Sequence, residues 1–208
     1  MTALSALRSS VYLRTGLETD DAFFPAATVD AFINASLQQM STFHRWPWLE
    51  KVDTTFTATV VGQSAYTPAA DWRTTRRLQI DATDLELRTP RDMAQYANNN
   101  GRPYFYYIEA EEIYLVPTPS TVKAVTHVYT ATEPALSDDS DEPLLPNEYA
   151  DLLVVMASRI VSLRKRDLEM YTMLTSERND WLAHMRDDVR RSAAPSRLKA
   201  RNDWGMNV

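Results

Sequence analysis

The side chains with the widest chemical range in this sequence are its three histidines, His44, His127 and His184. An imidazole can ligate a metal ion or exchange a proton near neutral pH. The three residues lie far apart on different predicted elements, and none belongs to an H-E-x-x-H pattern, which places two ligands on one helical face. The spacing therefore indicates packing or surface roles and predicts no metal site.

One short pattern matches a nucleophile motif. Ser162-Leu163-Arg164-Lys165 has the S-x-x-K form of penicillin-recognising serine enzymes, in which a lysine activates the serine. The companion S-D-N and K-T-G motifs are missing, so we interpret the match as chance. The chain also has no cysteine and only four glycines, none of which forms a phosphate-binding loop. We therefore expect neither an enzymatic activity nor a bound cofactor.

Four carboxylates crowd one segment, at Asp138, Asp139, Asp141 and Glu142. They could hold a calcium ion, but they lack the ligand spacing and the central glycine of an EF-hand loop. Because the segment precedes a predicted helix, whose N-terminus favours negative charge, we interpret it as a solvated loop.

The charge balance narrows the class of protein. The formal net charge is -6 over 208 residues, whereas generic nucleic-acid binders need surplus Lys and Arg to displace counterions from phosphate. The first residues lack the basic start and apolar run of a secretory signal, and no apolar segment approaches the ~20 residues that span a bilayer. We expect a soluble protein of one domain, or of one domain with a large insertion.

The predicted elements are organised around residues 144–192. Apolar residues there recur at the spacing of a helix that buries one face, namely Tyr149, Leu152, Leu153, Met156, Ile160 and Leu163. Pro146 suits the first turn of this helix. After a charged patch the apolar stripe resumes at Leu168, Tyr171, Leu174, Trp181 and Met185. The pattern predicts a helical hairpin with Asp167 capping its second helix. A single bent helix is the alternative, because neither Gly nor Pro marks the break.

Two further helices are predicted near the N-terminus. The first carries Leu4, Leu7 and Val11 and ends near Gly16, and the second runs from residue 28 to residue 44. We expect these helices to pack on the hairpin, because neither pair can bury its apolar face alone. Residues 45–49, Arg-Trp-Pro-Trp-Leu, break the second helix. We interpret the two tryptophans as a hydrophobic plug at a domain junction, with a carbohydrate or peptide platform as the alternative.

Between the helices the sequence changes to the alternation typical of β-strands. Residues 53–68 predict a β-hairpin that turns near Gly62, and Thr89 with Pro90 opens a short helix. Further strands are predicted at residues 76–81, 85–88, 104–108, 113–117 and 122–130. Short strands at regular spacing are typical of a small antiparallel sandwich or barrel.

The predicted fold class is therefore α+β: a helical bundle of about four helices, an inserted antiparallel β-rich domain and an extended C-terminal arm. We expect the two halves of the helical domain at residues 1–50 and 144–192, the inserted domain at 51–143 and the arm at 193–208. The arm is basic and has too little apolar surface to fold alone. It is either disordered or an arm that orders on a partner.

Four sequence features in this order resemble a known family. They are Arg45-Trp46-Pro47-Trp48-Leu49 after a long helix, Gly62-x-x-x-Tyr66-x-x-Pro68, Leu115-Val116-Pro117-Thr118-Pro119, and Asp141-Glu142-Pro143-Leu144-Leu145-Pro146-x-x-Tyr149. The combination resembles the head-to-tail adaptor proteins of tailed bacteriophages, also called connector or head-completion proteins. The similarity covers roughly residues 1–192, which is essentially the whole folded part.

The resemblance implies a virion structural protein that is assembled in the host cytoplasm and forms a twelve-fold ring beneath the portal protein, at the neck of the particle. Such a ring extends the DNA channel, through which DNA passes without sequence-specific binding. It also offers a docking surface to the tail or to stopper and nozzle proteins, and it implies no contact with a membrane. In related adaptors the C-terminal arm packs against the portal. By position, the resemblance assigns that role to Arg197, Lys199, Arg201 and Trp204.

Three other functions remain open from the sequence. A tail-completion or stopper protein would also be a non-enzymatic ring and would differ in the partner that it meets first. A nucleic-acid-binding module would use Tyr104, Tyr106 and Tyr107 as exposed stacking platforms, although little Lys or Arg is interleaved with them. A hydrolase with an unrecognised carboxylate site is the third alternative.

Overall fold

The computed structural model describes residues 2–19, 21–93, 96 and 99–193, with the backbone alone at residues 192 and 193. These residues contain five α-helices, which are Leu4–Thr15 (α1), Ala26–Phe43 (α2), Pro90–Met93 (α3), Ala150–Lys165 (α4) and Leu168–Ala193 (α5). They also contain ten short strands, which are Glu50–Val52 (β1), Ala65–Tyr66 (β2), Trp72–Ile80 (β3), Thr83–Asp84 (β4), Glu86–Leu87 (β5), Asn100–Gly101 (β6), Phe105–Glu109 (β7), Glu112–Val116 (β8), Thr118–Pro119 (β9) and Val125–Ala131 (β10). The fold is a mixed α+β fold, as the sequence predicts.

Helix α1 ends where its glycine predicts. Gly16 has a φ of 62°, in the left-handed region, and its backbone N–H donates to the carbonyl of Tyr12. A residue with a Cβ pays a conformational cost at that φ, which glycine avoids. The chain then returns through an acidic link into α2, and both helices pack on α4.

Helix α4 lies at the centre of the bundle, in contact with α1, α2 and α5. Every residue from Leu152 to Ser158 is buried. The expectation of one buried face is therefore wrong for this stretch, because a helix surrounded by three others buries most of its circumference. Leu163, at the end of the predicted stripe, is 51% exposed. Pro146 precedes a 3-10 turn, Asn147–Tyr149, that leads into α4, so it lies before the first turn of the helix.

Helices α4 and α5 form the predicted hairpin, and the alternative of a single bent helix is wrong. Arg166 adopts a left-handed φ of 60°, which ends α4 without a glycine or a proline. Asp167 then caps α5, since its Oδ1 accepts the N–H of Met170 at 3.0 Å. The bundle core draws its buried residues from α1, α2, α4 and α5, together with Trp46, Leu49, Leu136 and Leu145.

The strands form two four-stranded sheets and one pair. The first sheet has the order β1-β10-β3-β4 and is antiparallel throughout, and the second has the order β2-β8-β7-β5. Side chains of both sheets share one apolar core, with Leu78, Ile80 and Val125 from the first and Tyr66, Tyr106, Ile113 and Leu115 from the second. The β region is thus a small sandwich, one of the two predicted forms.

Two features of the sandwich differ from the prediction. The hairpin expected at residues 53–68 is wrong: Ala58 bridges Ala124, whereas Ala65 and Tyr66 pair with β8. Two strand pairs, β5 with β7 and β6 with β9, are parallel. The connection from β5 to β7 passes through α3, and its length permits the parallel crossover that a tight turn forbids.

Candidate functional site

The four residues assigned to portal docking, Arg197, Lys199, Arg201 and Trp204, lie outside the described residues. The structure does describe α5, the helix that leads to them. The last turns of α5 lie beside a cleft of about 300 Å³, lined by Pro47, Trp48, Pro146, Glu148, Tyr149, Asp188 and Val189. We call this cleft the arm-base cleft.

The tryptophan motif builds one wall of the arm-base cleft. Trp46 is 1% exposed, and its Nε1 donates to the carbonyl of Met40 at 2.8 Å. The ring of Trp48 stacks on that of Trp46, with centroids 4.9 Å apart, and its other neighbour is Tyr149 at 6.1 Å. The chain leaves the helical path after Phe43, and Pro47 starts a 3-10 turn, so that one tryptophan enters the core and the other reaches the cleft. The structure thus buries Trp46 as a hydrophobic plug between α2 and β1.

A hydrogen bond from the turn before α4 to α5 closes the cleft floor. The hydroxyl of Tyr149 donates to Oδ2 of Asp188 at 3.2 Å, and Nδ1 of His184 lies 3.1 Å from the same oxygen. Burial and the neighbouring carboxylate of Asp188 raise the pKa of Tyr149 to about 12. The hydroxyl therefore remains protonated at neutral pH. Aromatic walls with carboxylates at Glu148 and Asp188 suit a segment that carries positive and apolar side chains.

The structure also assembles a buried polar chain that no sequence motif marks. Nδ1 of His127 lies 2.9 Å from Oδ2 of Asp53, and its Nε2 lies 3.0 Å from the hydroxyl of Thr75. That hydroxyl accepts a hydrogen bond from Nε1 of Trp72 at 3.1 Å. A neutral His127 with its proton on Nδ1 satisfies every one of these bonds. The only signal in the sequence is the alternation that places His127 on the inner face of β10.

The order carboxylate, imidazole, hydroxyl is that of a hydrolase triad, but its environment is that of a core. The side chains of His127 and Asp53 are both 0% exposed. Burial lowers the pKa of His127, although Asp53 opposes this. Burial alone would raise the pKa of Asp53, but hydrogen bonds from Thr55, His127 and Phe56 outweigh it and lower the pKa to about 2. These hydrogen-bonded side chains therefore hold a neutral imidazole beside a buried carboxylate, and they connect the strands of the sandwich.

The other two histidines occupy the positions that the spacing indicates. The ring of His44 packs edge-on against Trp46, with centroids 4.8 Å apart. His184 lies on the exposed side of α5. Among the described residues, no group of three or more His, Asp or Glu side chains is arranged to hold a metal ion.

The S-x-x-K match and the acidic segment both serve local structure. Ser162 donates to the carbonyl of Ser158, and Lys165 donates to the carbonyl of Thr15, each at 3.0 Å. In the acidic segment, Asp141 accepts three hydrogen bonds from Ser137 and Asp138. The carbonyls of Asp141 and Asp139 accept the N–H groups of Leu4 and Ser5. The acidic segment therefore caps α1, a helix distant in sequence, as well as preceding α4.

The three tyrosines proposed as stacking platforms do not share an exposed face. Tyr104 is 56% exposed, but Tyr106 is 5% exposed and belongs to the sandwich core. Tyr107 stacks on Tyr114, with centroids 4.8 Å apart. The expectation of an exposed Tyr106 is therefore wrong, because Tyr106 points inward from β7 whereas Tyr104 precedes that strand.

None of the described helices is both long enough and apolar enough to cross a membrane. Comparison with curated proteins finds no match. A family model described as SU10 adaptor protein matches residues 1–202. Since that match covers nearly the whole chain, the chain belongs to the SU10 adaptor protein family, a family of phage adaptors located at the head-tail junction of the virion.

Proposed function

We propose that this adaptor is a structural, non-enzymatic protein that forms a ring beneath the portal, for which twelve subunits are expected. The ring extends the DNA channel and provides the surface on which the tail or its stopper and nozzle proteins dock. The observation that carries the proposal is the reach of the family match, which runs past α5 to residue 202. It includes the basic residues Arg197, Lys199 and Arg201, so the segment after α5 belongs to the region that the family shares.

The proposed role of that segment is to bind the portal. Three positive charges and Trp204 within eight residues suit an acidic portal surface with an apolar pocket, since Arg and Trp are favoured anchors at interfaces. Helix α5 is 26 residues long, or about 39 Å. It is held to α4 along the hairpin, and its residues Asp188 and Val189 line the arm-base cleft.

The test mixes the purified chain with the portal protein of the same phage and images the product by negative-stain electron microscopy. We expect a ring on the portal with the full chain and none with a version that ends at Ala194. The paired change Arg197→Glu and Arg201→Glu should also abolish the ring. Arg164→Glu is the matched control, because this exposed arginine lies in the last turn of α4, and it should leave the ring intact.

The outcomes separate the alternatives. If the ring survives truncation, the adaptor role is supported and the proposed portal binding by the arm is wrong. Binding only to a preassembled portal with another neck protein would indicate a stopper or tail-completion ring. Affinity for single-stranded DNA that falls as salt rises would favour the nucleic-acid module, a function that the buried Tyr106 argues against.

We further propose that residues 1–50 and 144–192 form one domain and residues 51–143 a second. The support is the division of the buried apolar residues into a helical core and a sandwich core, which follows these ranges except at Leu136, a member of the helical core. Limited proteolysis tests this division: cleavage should concentrate near the junctions at residues 51 and 143. Preferential cleavage inside either core would contradict it.

A further inference from the structure

One face of the bundle is strongly basic, although the whole chain is acidic. It comprises Arg45 after α2, Arg159 on α4 and three arginines of α5, Arg178, Arg186 and Arg190. We call it the arginine face. Its members lie close together. Burial lowers the pKa of His44 most, and the nearby charges of Arg186, Arg190 and Arg45 lower it further. Burial also lowers the pKa of Arg178 most, and the nearby charge of Arg159 lowers it further.

Three arginines of this face, Arg159, Arg178 and Arg186, lack anionic partners within the described part of the chain, whereas Arg190 lies 3.9 Å from Asp187. The Nε atoms of these three are buried and have no hydrogen-bond acceptor there. Arg159 and Arg178 donate through their terminal nitrogens only to neutral groups, the hydroxyl of Tyr171 and the side chain of Asn179. A guanidinium without an anionic partner favours a carboxylate from outside the subunit, because charge-assisted hydrogen bonds are the stronger ones.

A cavity with both polar and apolar walls opens within the arginine face. It measures about 110 Å³ and is lined by Gln39, Met40, Phe43, Met156, Arg178 and Leu182. The guanidinium of Arg186 lies 4.7 Å from the ring centre of Phe43, at the edge of this cavity. Methionine side chains adapt their shape to an inserted group. A DNA backbone would meet the arginines but would offer nothing apolar to fill this cavity. The combination therefore fits a protein segment that carries an apolar side chain next to carboxylates.

The link between α1 and α2 presents such a segment. Phe23 is 87% exposed, and carboxylates stand on the same link at Glu18 and Asp21. Oδ1 of Asp21 accepts the N–H groups of Phe23 and Phe24 at 2.8 and 3.0 Å. Phe24 packs against Phe32. These contacts hold the link in place and direct Phe23 into solvent. We call Glu18, Asp21 and Phe23 the Phe23 loop.

The Phe23 loop and the cavity of the arginine face lie at opposite ends of α2. The Phe23 loop precedes the first residue of α2, whereas Met40 and Phe43, which line the cavity, lie in its last turn. Helix α2 has 18 residues and so separates them by about 27 Å. We propose that the Phe23 loop of one subunit inserts Phe23 into the cavity of the arginine face of the next, with its carboxylates on the arginines. This contact deepens the proposed ring and rests on it, because a closed ring repeats one contact between two different faces.

Cysteine cross-linking on the assembled ring tests the contact, and the chain has no natural cysteine to interfere. Ala22→Cys and Thr42→Cys, both at exposed positions next to the two phenylalanines, are combined in one chain. After assembly on the portal, a short bis-maleimide should link subunits into a ladder of multimers. Each single variant should give no ladder. The matched control combines Ala22→Cys with Val122→Cys, an exposed position on the sandwich, and should give none either.

A charge exchange provides a second readout. Arg178→Glu with Arg186→Glu should lower the yield of rings by about tenfold or more, since a broken interfacial charge pair is costly. Adding Glu18→Arg to the same chain should restore much of the yield. A ladder together with this rescue supports the inference. If the variant with Ala22→Cys and Thr42→Cys forms rings but gives no cross-linked ladder, the inferred contact is wrong, whereas the proposed ring is retained. The absence of rings from the unmodified chain on its portal would overturn both.

Discussion

Nδ1 of His127 and Oδ2 of Asp53 lie 2.9 Å apart, and both side chains are fully buried. The contact joins β10 to the segment that leaves β1. The same carboxylate accepts N–H groups from Thr55, Phe56 and Ala69. One buried side chain thus fixes the path of a segment that is not part of a regular sheet, and its protonation state bears directly on stability.

Stability should fall as the pH drops below about 6.5, because the unfolded chain then protonates His127 while the folded chain, whose imidazole has a lowered pKa, resists it. A second loss of stability should follow between about pH 4 and pH 2. There the unfolded chain protonates Asp53, whereas the folded chain, in which the pKa of Asp53 is lowered to about 2, resists protonation. Denaturant unfolding over this pH range measures both losses.

The variant His127→Gln separates the two losses. It should be less stable at neutral pH by about 1–3 kcal/mol, because it leaves buried groups unpaired. Its stability should also fall less steeply between about pH 7 and pH 5. His44→Gln is the control, because the pKa of His44 is lowered as well. Removal of His44 should leave the part of the pH dependence of stability that His127 contributes. Equal slopes for His127→Gln and the unmodified chain would contradict this assignment.

Glu133 should destabilise the fold at neutral pH. It is 1% exposed, and burial raises its pKa, so ionisation costs more in the folded state than in the unfolded one. Stability is therefore lost as the pH rises through its folded pKa. Glu133→Gln keeps an acceptor for the N–H of Leu144, which lies 2.7 Å from Oε1.

We expect Glu133→Gln to be more stable than the unmodified chain by about 1 kcal/mol at neutral pH. The difference should vanish near pH 4, where both side chains are neutral. Thermal unfolding at the two pH values measures it, with Glu142→Gln, an exposed carboxylate nearby in sequence, as the control. A lower melting temperature for Glu133→Gln at neutral pH would show that the charge of Glu133 is stabilising.

Arg166→Gly should stabilise the hairpin of α4 and α5 by about 1 kcal/mol, because Arg166 has a φ of 60° that glycine adopts without cost. The reverse change at the end of α1, Gly16→Ala, should cost about 1 kcal/mol. An added Cβ there meets nothing within 4 Å, so that cost is conformational and not steric. Midpoints of thermal unfolding measure both changes. A lower midpoint for Arg166→Gly would show that the left-handed φ of Arg166 does not destabilise the hairpin.

Trp46→Phe should cost about 1–3 kcal/mol, because it removes the donor that pairs with the buried carbonyl of Met40. Trp48→Phe, at a half-buried ring that stacks on Trp46, should cost less. Comparison of the two free energies of unfolding tests whether the buried indole N–H matters. Equal costs would assign the effect to packing area alone.

The positions of the helices were predictable because helical periodicity and helix ends are local properties of a chain. The pattern around Leu4, the glycine at position 16 and the cap at Asp167 identified α1 and the hairpin within a few residues. The tryptophan motif predicted that both tryptophans pack as a hydrophobic plug, whereas the structure buries Trp46 and leaves Trp48 half-buried beside the arm-base cleft. The opposite wall was not predictable, because Asp188 meets Tyr149 only after α5 folds back along α4.

What the sequence by itself determined about this protein is the order and type of most elements, the capping at Asp167 and the class to which its motifs belong. The tertiary structure alone decided which strands pair, that Tyr106 is buried, and that Asp53 meets His127 across 74 positions of sequence. It also decided that the Phe23 loop and the cavity of the arginine face lie at opposite ends of α2. The physical reason is that alternation specifies which side of a strand or helix is apolar, whereas the partner of that side depends on how distant segments pack.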